Sequence, residues 1–152
     1  MKTQSGMSES AMEARRIDAR LRETRAARLA TRDEQGRPHV VPVCYAYDGK
    51  AFYTPLDRKP KKKAGGELAR VRNIRANPAV ALLLDHYEED WAKLWYILIR
   101  GSAEILSAGD ERQRAVALLR MKYPQYASRE LLPEDATVIR ITPERMVSWG
   151  QE

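Results

Sequence analysis

The strongest constraint on the fold is an Asp48-Gly49 pair between two runs of β-forming residues. Asp-Gly between such runs is typical of a two-residue hairpin turn, because both residues adopt positive φ angles easily. The run before the turn, His39 to Tyr47, contains Pro42, which cannot donate a ladder hydrogen bond. We therefore predict an antiparallel hairpin. The proline predicts that the first strand lies at a sheet edge, at a bulge, or where the backbone turns toward a ligand.

Four further segments have the length and apolar content of strands, and hairpin-sized connections join most of them. The six predicted strands are 28–31, 39–47, 51–54, 79–84, 94–106 and 137–141, with 146–149 as a candidate continuation of the last. The run 79–84 is continuously apolar, which predicts burial on both of its faces. Six antiparallel strands in a small domain are expected to close into a barrel, because closure removes exposed edges.

Three segments have apolar residues at helical spacing. They are 11–25, 67–76 and a helix that starts at Asp110, where Gln113 resembles the second member of a capping box. Residues 1–10 are polar and are expected to form a disordered tail, which leaves 11–152 as one domain. The predicted fold class is mainly β (α+β), a six-stranded antiparallel barrel with short flanking helices.

The sequence excludes several classes of protein and site. No window holds 18 consecutive apolar residues, and the first twelve residues lack the apolar centre of a secretory signal. Cys44 is the one cysteine, so no intrachain disulfide forms and a reducing cytoplasm is expected. The chain has no P-loop, no Gly-x-Gly-x-x-Gly and no Gly-x-Ser-x-Gly. The segment Asp85–Asp90 places a histidine among carboxylates, but a solvated acidic loop is favoured, and no metal site is predicted.

Most of the positive charge lies in one short window. Residues 58–75 hold eight basic residues and one acid, a net charge of +7, whereas the whole chain carries +6. The rest of the chain is therefore nearly neutral. A concentrated patch favours one specific anion over general nucleic-acid binding, which needs a broad basic face. An RNA-binding protein is therefore retained only as a minor hypothesis.

The end of the strand 51–54 is the strongest candidate for a binding site. Its last residues, Tyr53 and Thr54, precede a cluster of cations formed by Arg58, Lys59, Lys61 and Lys62. Lysine and arginine stay ionised at neutral pH and suit a phosphate group. The alternative interpretation is a solvated run of charge.

Four segments in a fixed order carry a resemblance to a known family. They are Gly-Arg-Pro-His-Val-Val-Pro-Val at 36–43, Ala-Phe-Tyr-Thr at 51–54, Arg-Lys at 58–59 and Asn-Ile-Arg-Ala-Asn-Pro-Ala-Val-Ala-Leu-Leu at 73–83. The chain resembles the pyridoxamine 5′-phosphate oxidase-like split β-barrel superfamily over residues 11–149. The stretch 57–95 is most similar to the deazaflavin-dependent (coenzyme F-420) oxidoreductase branch. The C-terminal Arg-x-His substrate signature of true pyridoxamine phosphate oxidases is missing, which disfavours vitamin B6 oxidation.

The resemblance implies a homodimer with two flavin sites in the subunit interface. The cofactor-binding residues that it implies are Val41, Pro42, Val43 and Cys44 along the ring; Tyr53, Thr54, Arg58, Lys59, Lys61 and Lys62 toward the phosphate; Arg70 and Asn73 on the next helix; and Trp149, from the second subunit or over the ring. No catalytic side chain is assigned, because a flavin supplies its own hydride chemistry.

The sequence hypothesis is therefore a flavin- or deazaflavin-binding oxidoreductase that transfers a hydride to or from a small organic substrate. FMN is the first expected cofactor and the deazaflavin coenzyme F-420 is the alternative. A non-catalytic carrier of the cofactor, or a tetrapyrrole-binding protein of the same fold, is the competing hypothesis.

Overall fold

A computed structural model describes residues 6, 8–56 and 68–150 of the chain. The α-helices are α1 (Glu9–Glu23), α2 (Ala69–Ala76) and α3 (Asp110–Lys122). The strands are β1 (Ala27–Arg32), β2 (Pro38–Val43), β3 (Ala46–Tyr47), β4 (Phe52–Pro55), β5 (Ala79–His86), β6 (Trp95–Leu106) and β7 (Val138–Trp149). Two 3₁₀ turns, Trp91–Lys93 and Pro124–Ala127, complete the elements of the described chain.

The strands form one antiparallel sheet in the order β2-β1-β5-β6-β7-β4-β3. Its two edge strands are β2 and β3, yet only Cys44 and Tyr45 connect them. Three Cα steps from Val43 to Ala46 span at most about 11 Å, whereas a flat sheet of seven strands would be about 29 Å wide. The sheet must therefore curl until its edges meet, which gives a half-barrel with a split between β2 and the β3–β4 hairpin.

The mainly β antiparallel class predicted from the sequence is confirmed, but the sheet is a half-barrel rather than a closed barrel, and it has seven strands rather than six. The run His39–Tyr47 was predicted as one strand. It divides because Cys44 and Tyr45 carry the chain from one sheet edge to the other. The edge position that Pro42 predicted is confirmed, because β2 has one strand neighbour, β1. A hairpin turn also forms at the predicted place, but not as the predicted two-residue Asp48-Gly49 turn. Four residues, 48–51, separate β3 from β4, and the amide of Asp48 donates to the carbonyl of Ala51. The central residues are therefore Gly49, at a φ of 95°, and Lys50.

Two apolar cores lie on opposite sides of the β3–β4 hairpin. The first fills the curled sheet and includes Leu29, Leu82, Ile99 and Phe52, all fully buried. The second lies between the hairpin and α3, where Leu119, Leu132 and Val138 are fully buried. Successive residues of β4 point alternately into the two cores, as the two-residue period of a strand requires. This shared strand fixes α3 against one edge of the split.

The predicted double-sided burial of 79–84 is only half realised. Val80, Leu82 and Leu84 are buried, whereas Ala81 and Leu83 on the opposite face are half-buried. The outer face of β5 therefore has no complete cover within one copy of the chain.

The helix boundaries differ from the predictions at two N-termini. Helix α1 begins at Glu9, with the Ser8 hydroxyl accepting a hydrogen bond from the amide of Ala11, so the predicted tail 1–10 is shorter than expected at its C-terminal end. In α3 the capping position is Gly109, with no side-chain cap, so the capping box at Asp110 and Gln113 is wrong. The start of the predicted helix 67–76 at Glu67 lies outside the described residues. No helix of residues 8–56 or 68–150 is long and apolar enough to cross a membrane.

The long strands β6 and β7 pair through a bulge at Gly101. Arg100 pairs with Arg145 and Gly101 with Pro143, so Glu144 is the extra residue. A Cβ atom on Gly101 would collide with the main-chain carbonyl of Thr142. Glycine is thus required by close approach of two backbones.

We expect Gly101→Ala to lower the free energy of unfolding by about 2 kcal/mol or more, because the added methyl overpacks the bulge. Urea denaturation monitored by circular dichroism measures the change. Ser102→Ala, at the neighbouring half-buried position, is the matched control and should stay within about 1 kcal/mol of the parent. A Gly101→Ala protein as stable as the parent would contradict this packing.

Candidate functional site

The split between the sheet edges brings two of the predicted site segments together. In the β3–β4 hairpin Ala46, the first residue of β3, pairs with Tyr53, and this is the pair farthest from the hairpin turn. Beyond it the chain runs through Tyr45 and Cys44 into β2, while Thr54 and Pro55 continue β4. The residues Val41–Cys44 and Thr54 therefore border the same opening.

The strand β2 offers its main chain to this opening. Val41 pairs with Leu29 and Val43 with Ala27, both of which are core residues, so these valine side chains face the core. Pro42 faces the opposite side and is exposed. The edge of β2 away from β1 has no strand neighbour in the sheet. Unpaired N–H and C=O groups along such an edge can bind another polar group.

The Tyr53 side chain points away from the split and into the second core. Its hydroxyl donates to Glu111 at 2.8 Å and lies 3.3 Å from a carboxylate oxygen of Asp48. Glu111 in turn accepts from Arg140 at 2.7 Å. Burial raises the pKa of Tyr53 above its ordinary value, and the hydrogen bond to Glu111 raises the pKa further. The phenol is therefore held protonated and already paired.

The neighbouring Thr54 hydroxyl is in the opposite situation. Thr54 is 1% exposed, and its Oγ1 atom has no hydrogen-bond partner in the described part of the chain. A buried hydroxyl without a partner costs about 1–3 kcal/mol. Thr54 pairs with Ile139, a residue of the first core, so its hydroxyl faces that core at the end of β4, shortly before the cation-rich segment.

The predicted residues on α2 lie at another part of the sheet. Asn73 is buried, and its amide donates to the hydroxyl of Thr31 on β1 at 3.0 Å. Arg70 lies in the first turn of the same helix and is half-buried. The structure gives the Asn73 amide a partner within the fold, which ties α2 to β1. The predicted phosphate-binding cations Arg58, Lys59, Lys61 and Lys62 lie outside the described residues.

Trp149 lies on another strand of the sheet. It ends β7, which β1, β5 and β6 separate from β2 in the strand order. Its ring is 52% exposed and stacks on Tyr96, with centroids 5.9 Å apart. Sequence reasoning missed Tyr96. Only the β6–β7 register, in which Tyr96 pairs directly with Trp149, identifies it.

The outer face of the sheet carries an apolar surface beside Trp149. Directly paired residues of an antiparallel sheet point to one face, and one such row crosses the sheet as Pro42, Arg28, Leu83, Leu98 and Val147. The next row is Val40, Ala30, Ala81, Arg100 and Arg145. A groove of about 410 Å³ lies here, floored by small residues and flanked by Arg32, Arg100 and Glu144. We call these two rows the outer face.

Two acidic residues of the segment 85–90 form ion pairs or hydrogen bonds with nearby protein side chains. Asp85 accepts from Arg28 at 3.1 Å, and His86 pairs with Glu88 at 2.5 Å. Across residues 8–56 and 68–150, no three histidine, cysteine, aspartate or glutamate side chains are grouped as metal ligands would be.

The sequence profile of the pyridoxamine 5′-phosphate oxidase family matches residues 14–150, which is most of the chain. The chain belongs to the pyridoxamine 5′-phosphate oxidase family. This confirms the resemblance carried by the motifs at 36–43 and 73–83. The half-barrel with flanking helices described above fits the fold of this family.

The chain is similar to one named reductase in sequence and to several solved structures in fold. The 5a,11a-dehydrotetracycline/5a,11a-dehydrooxytetracycline reductase of Streptomyces rimosus subsp. rimosus is 29% identical over 126 residues, which cover 82% of this chain and 74% of that protein. The heme storage protein HutZ of Vibrio cholerae superposes with a TM-score of 0.69 at 17% identity, covering 90% of this chain and 92% of HutZ. An F-420 reductase superposes with a TM-score of 0.60 at 24% identity, covering 86% and 94%. At these identities the two structural likenesses show the fold alone.

The raised pKa of Tyr53 predicts a specific loss of stability at high pH. Its folded pKa lies above the unfolded value near 10, so its contribution is complete below pH 10 and is lost as the pH rises further. One such group changes the free energy of unfolding by at most about 1.4 kcal/mol per pH unit. Urea midpoints at pH 8, 10 and 11 should therefore fall less steeply for Tyr53→Phe than for the parent. Tyr87→Phe, which removes an exposed hydroxyl, is the control, and equal slopes for all three proteins would refute the assignment.

Proposed function

We propose that this chain is an oxidoreductase that binds FMN or the deazaflavin coenzyme F-420 in the split and transfers a hydride to or from a small organic molecule. The observation that carries the proposal is the split itself. There an edge strand with one strand neighbour borders the end of β4, whose buried Thr54 hydroxyl has no partner among the described residues, and a cation-rich segment follows in the sequence. Membership of the pyridoxamine 5′-phosphate oxidase family supports the same cofactor class.

The groups around the split suit the two ends of such a cofactor. The flavin or deazaflavin ring presents polar edges, and the main chain of Val41–Cys44 would bind them while the valine side chains keep the core closed. The Thr54 hydroxyl would gain a partner from a ligand in the split. The charges of Arg58, Lys59, Lys61 and Lys62 would bind the phosphate, and Arg70 would lie within reach of the longer anion.

In this proposal the cofactor, and not a protein side chain, supplies the hydride chemistry. When bound, a flavin or deazaflavin accepts or donates the hydride. The chain would bind the cofactor, orient it and exclude water. The names of the Streptomyces rimosus reductase and of the F-420 reductase are consistent with reduction of an organic substrate. The competing hypothesis, a carrier of the cofactor or of a tetrapyrrole, shares the fold and differs in having no turnover.

Charge reversal tests the phosphate assignment. We expect Arg58→Glu/Lys59→Glu to raise the dissociation constant for FMN or for coenzyme F-420 by at least about a hundredfold, equivalent to about 2.8 kcal/mol, because two attractive contacts become repulsive. Fluorescence titration with each cofactor measures the affinity and also chooses between the two. Arg15→Glu/Arg114→Glu removes the same charge from two exposed helical positions and should bind normally. Unchanged affinity in the Arg58/Lys59 variant would exclude these two residues, and turnover of a bound cofactor would exclude a pure carrier.

We also propose that the site is completed by a second copy of the chain, seated on the outer face. Val40 is 59% exposed and Val147 is 37% exposed, and the half-buried Leu83 and Leu98 lie between the two edges of this face, which arginines also share. Trp149 ends β7, and three strands separate β7 from the Val41–Cys44 edge in the strand order. A partner subunit could supply its own Trp149, and Glu144 could pair with an arginine of the facing outer face. These features support a homodimer with the cofactor in its interface.

Placing a carboxylate on the outer face should break the dimer and the cofactor site together. We expect Val40→Asp/Val147→Glu to elute as a folded monomer that retains neither cofactor, because both new carboxylates would have to lose their hydration in the interface. Light scattering after size exclusion gives the mass, and circular dichroism reports folding. Met121→Glu alters an exposed residue on α3 and should remain dimeric. A monomeric parent protein that binds cofactor fully would refute the shared site.

A further inference from the structure

The end of α3 ties together the chain segments that meet at the split. The Lys122 ammonium donates to the carbonyl of Thr24 at 2.7 Å and to the carbonyl of Tyr45 at 3.0 Å. The Tyr123 hydroxyl accepts from the amide of Tyr45 at 3.1 Å. It also lies 2.9 Å and 3.0 Å from the carbonyls of Arg25 and Tyr45, to either of which it can donate. We call these contacts of Lys122 and Tyr123 the seam latch.

The latch spans the split because its two sides belong to opposite sheet edges. Helix α3 packs on the second core together with Ala46 and Tyr53, so it is fixed to the β3–β4 hairpin. Thr24 and Arg25 lead directly into β1, which pairs with β2 along its whole length. Tyr45 lies in the connection between the edges. A movement of α3 would therefore change the separation of β2 from the hairpin.

The surroundings of Lys122 indicate a dedicated role. The groups that face its ammonium are Arg25, Cys44, Tyr45 and Tyr123, and the ammonium lies 3.9 Å from the centroid of the Tyr45 ring. None of its recorded interactions in the described chain is with a carboxylate. Burial lowers the pKa of Lys122 to about 8. A partly buried cation without an acidic partner is costly, and here two main-chain carbonyls and an aromatic face compensate it.

We propose that Lys122 and Tyr123 are positioning residues for the cofactor site, because the seam latch sets the width of the split and the placement of the Val41–Cys44 main chain. The inference rests on the cofactor site proposed above and adds the device that holds it open. Neither residue contacts the ring in this scheme. Their effect passes through Tyr45, which adjoins Cys44 in the sequence.

Two variants that preserve bulk test the latch. Lys122→Met keeps the apolar stem and removes the ammonium, and Tyr123→Phe removes only the hydroxyl. We expect each to raise the dissociation constant for FMN or coenzyme F-420, whichever the parent binds, by about tenfold, equivalent to about 1.4 kcal/mol. Lys122→Arg retains donors for both carbonyls and should restore most of the affinity. All measurements are made at a temperature where every variant remains folded by circular dichroism.

The control separates positioning from general destabilisation. Leu132 is fully buried in the second core but makes none of the seam contacts, so Leu132→Ala should lower stability while leaving cofactor affinity within about twofold. Hydrogen exchange of the Tyr45 amide gives a direct readout, because Tyr123→Phe removes its acceptor and should speed its exchange at least about tenfold.

The outcomes separate this inference from the function on which it rests. A parent protein that binds neither cofactor overturns the proposed function, and the positioning role falls with it. Normal binding by the parent and unchanged binding by both latch variants overturns only the positioning role. Equal weakening by Leu132→Ala overturns it as well, because the effect would then follow from stability alone. Selective weakening, with rescue by Lys122→Arg and faster exchange at Tyr45, supports the latch.

Discussion

The two-residue connection between β2 and β3 is the constraint on which the rest of this structure depends. It obliges the two edges of a seven-stranded sheet to meet, so the sheet curls around one apolar core and leaves a split where the ladder is not continued. One face of the hairpin strand β4 lies in this core, and α3 covers the opposite face, which carries Tyr53. Tyr45 occupies this connection, fully buried, with its hydroxyl donating to the carbonyl of Leu21 at 2.5 Å. A single short connection thus places α1, β1, α3 and both cores.

The position of the proposed site follows from the same constraint. A closed barrel has no free edge, and a flat sheet has two edges that are far apart. The split β-barrel has edges that face each other at close range, so main-chain groups of β2 and the end of β4 border one opening. The cation-rich segment follows β4 immediately in sequence. The outer face, by contrast, is left partly uncovered in one copy of the chain, and the proposed second copy would cover it.

Local patterns in the sequence predicted the local features of the fold. The place of the hairpin turn and the edge position of Pro42 depend on backbone preferences of a few neighbouring residues, and both were correct, although the turn is centred on Gly49 and Lys50 rather than on Asp48 and Gly49. The division of 39–47 into two strands was missed because the chain changes sheet edges without any break in β-forming residues. The pairing of Tyr53 with Glu111, 58 positions later, has no local signal at all. The capping box at Asp110 was wrong because Gly109, at a φ of 101°, already turns the chain into α3.

The distribution of satisfied and unsatisfied polar groups indicates where cofactor specificity would reside. The Tyr53 hydroxyl is paired with two carboxylates, and one N–H of the Asn73 amide is paired with Thr31. Among the described residues, what remains beside the split is the main chain of β2, which in the proposed site would bind the edge of a planar ring, and the Thr54 hydroxyl. These protein groups would serve FMN and the deazaflavin equally well. Discrimination between FMN, with its one phosphate, and coenzyme F-420, with its longer anion, would therefore come from the basic residues after β4. Substitution of those residues could change the cofactor preference without altering the barrel.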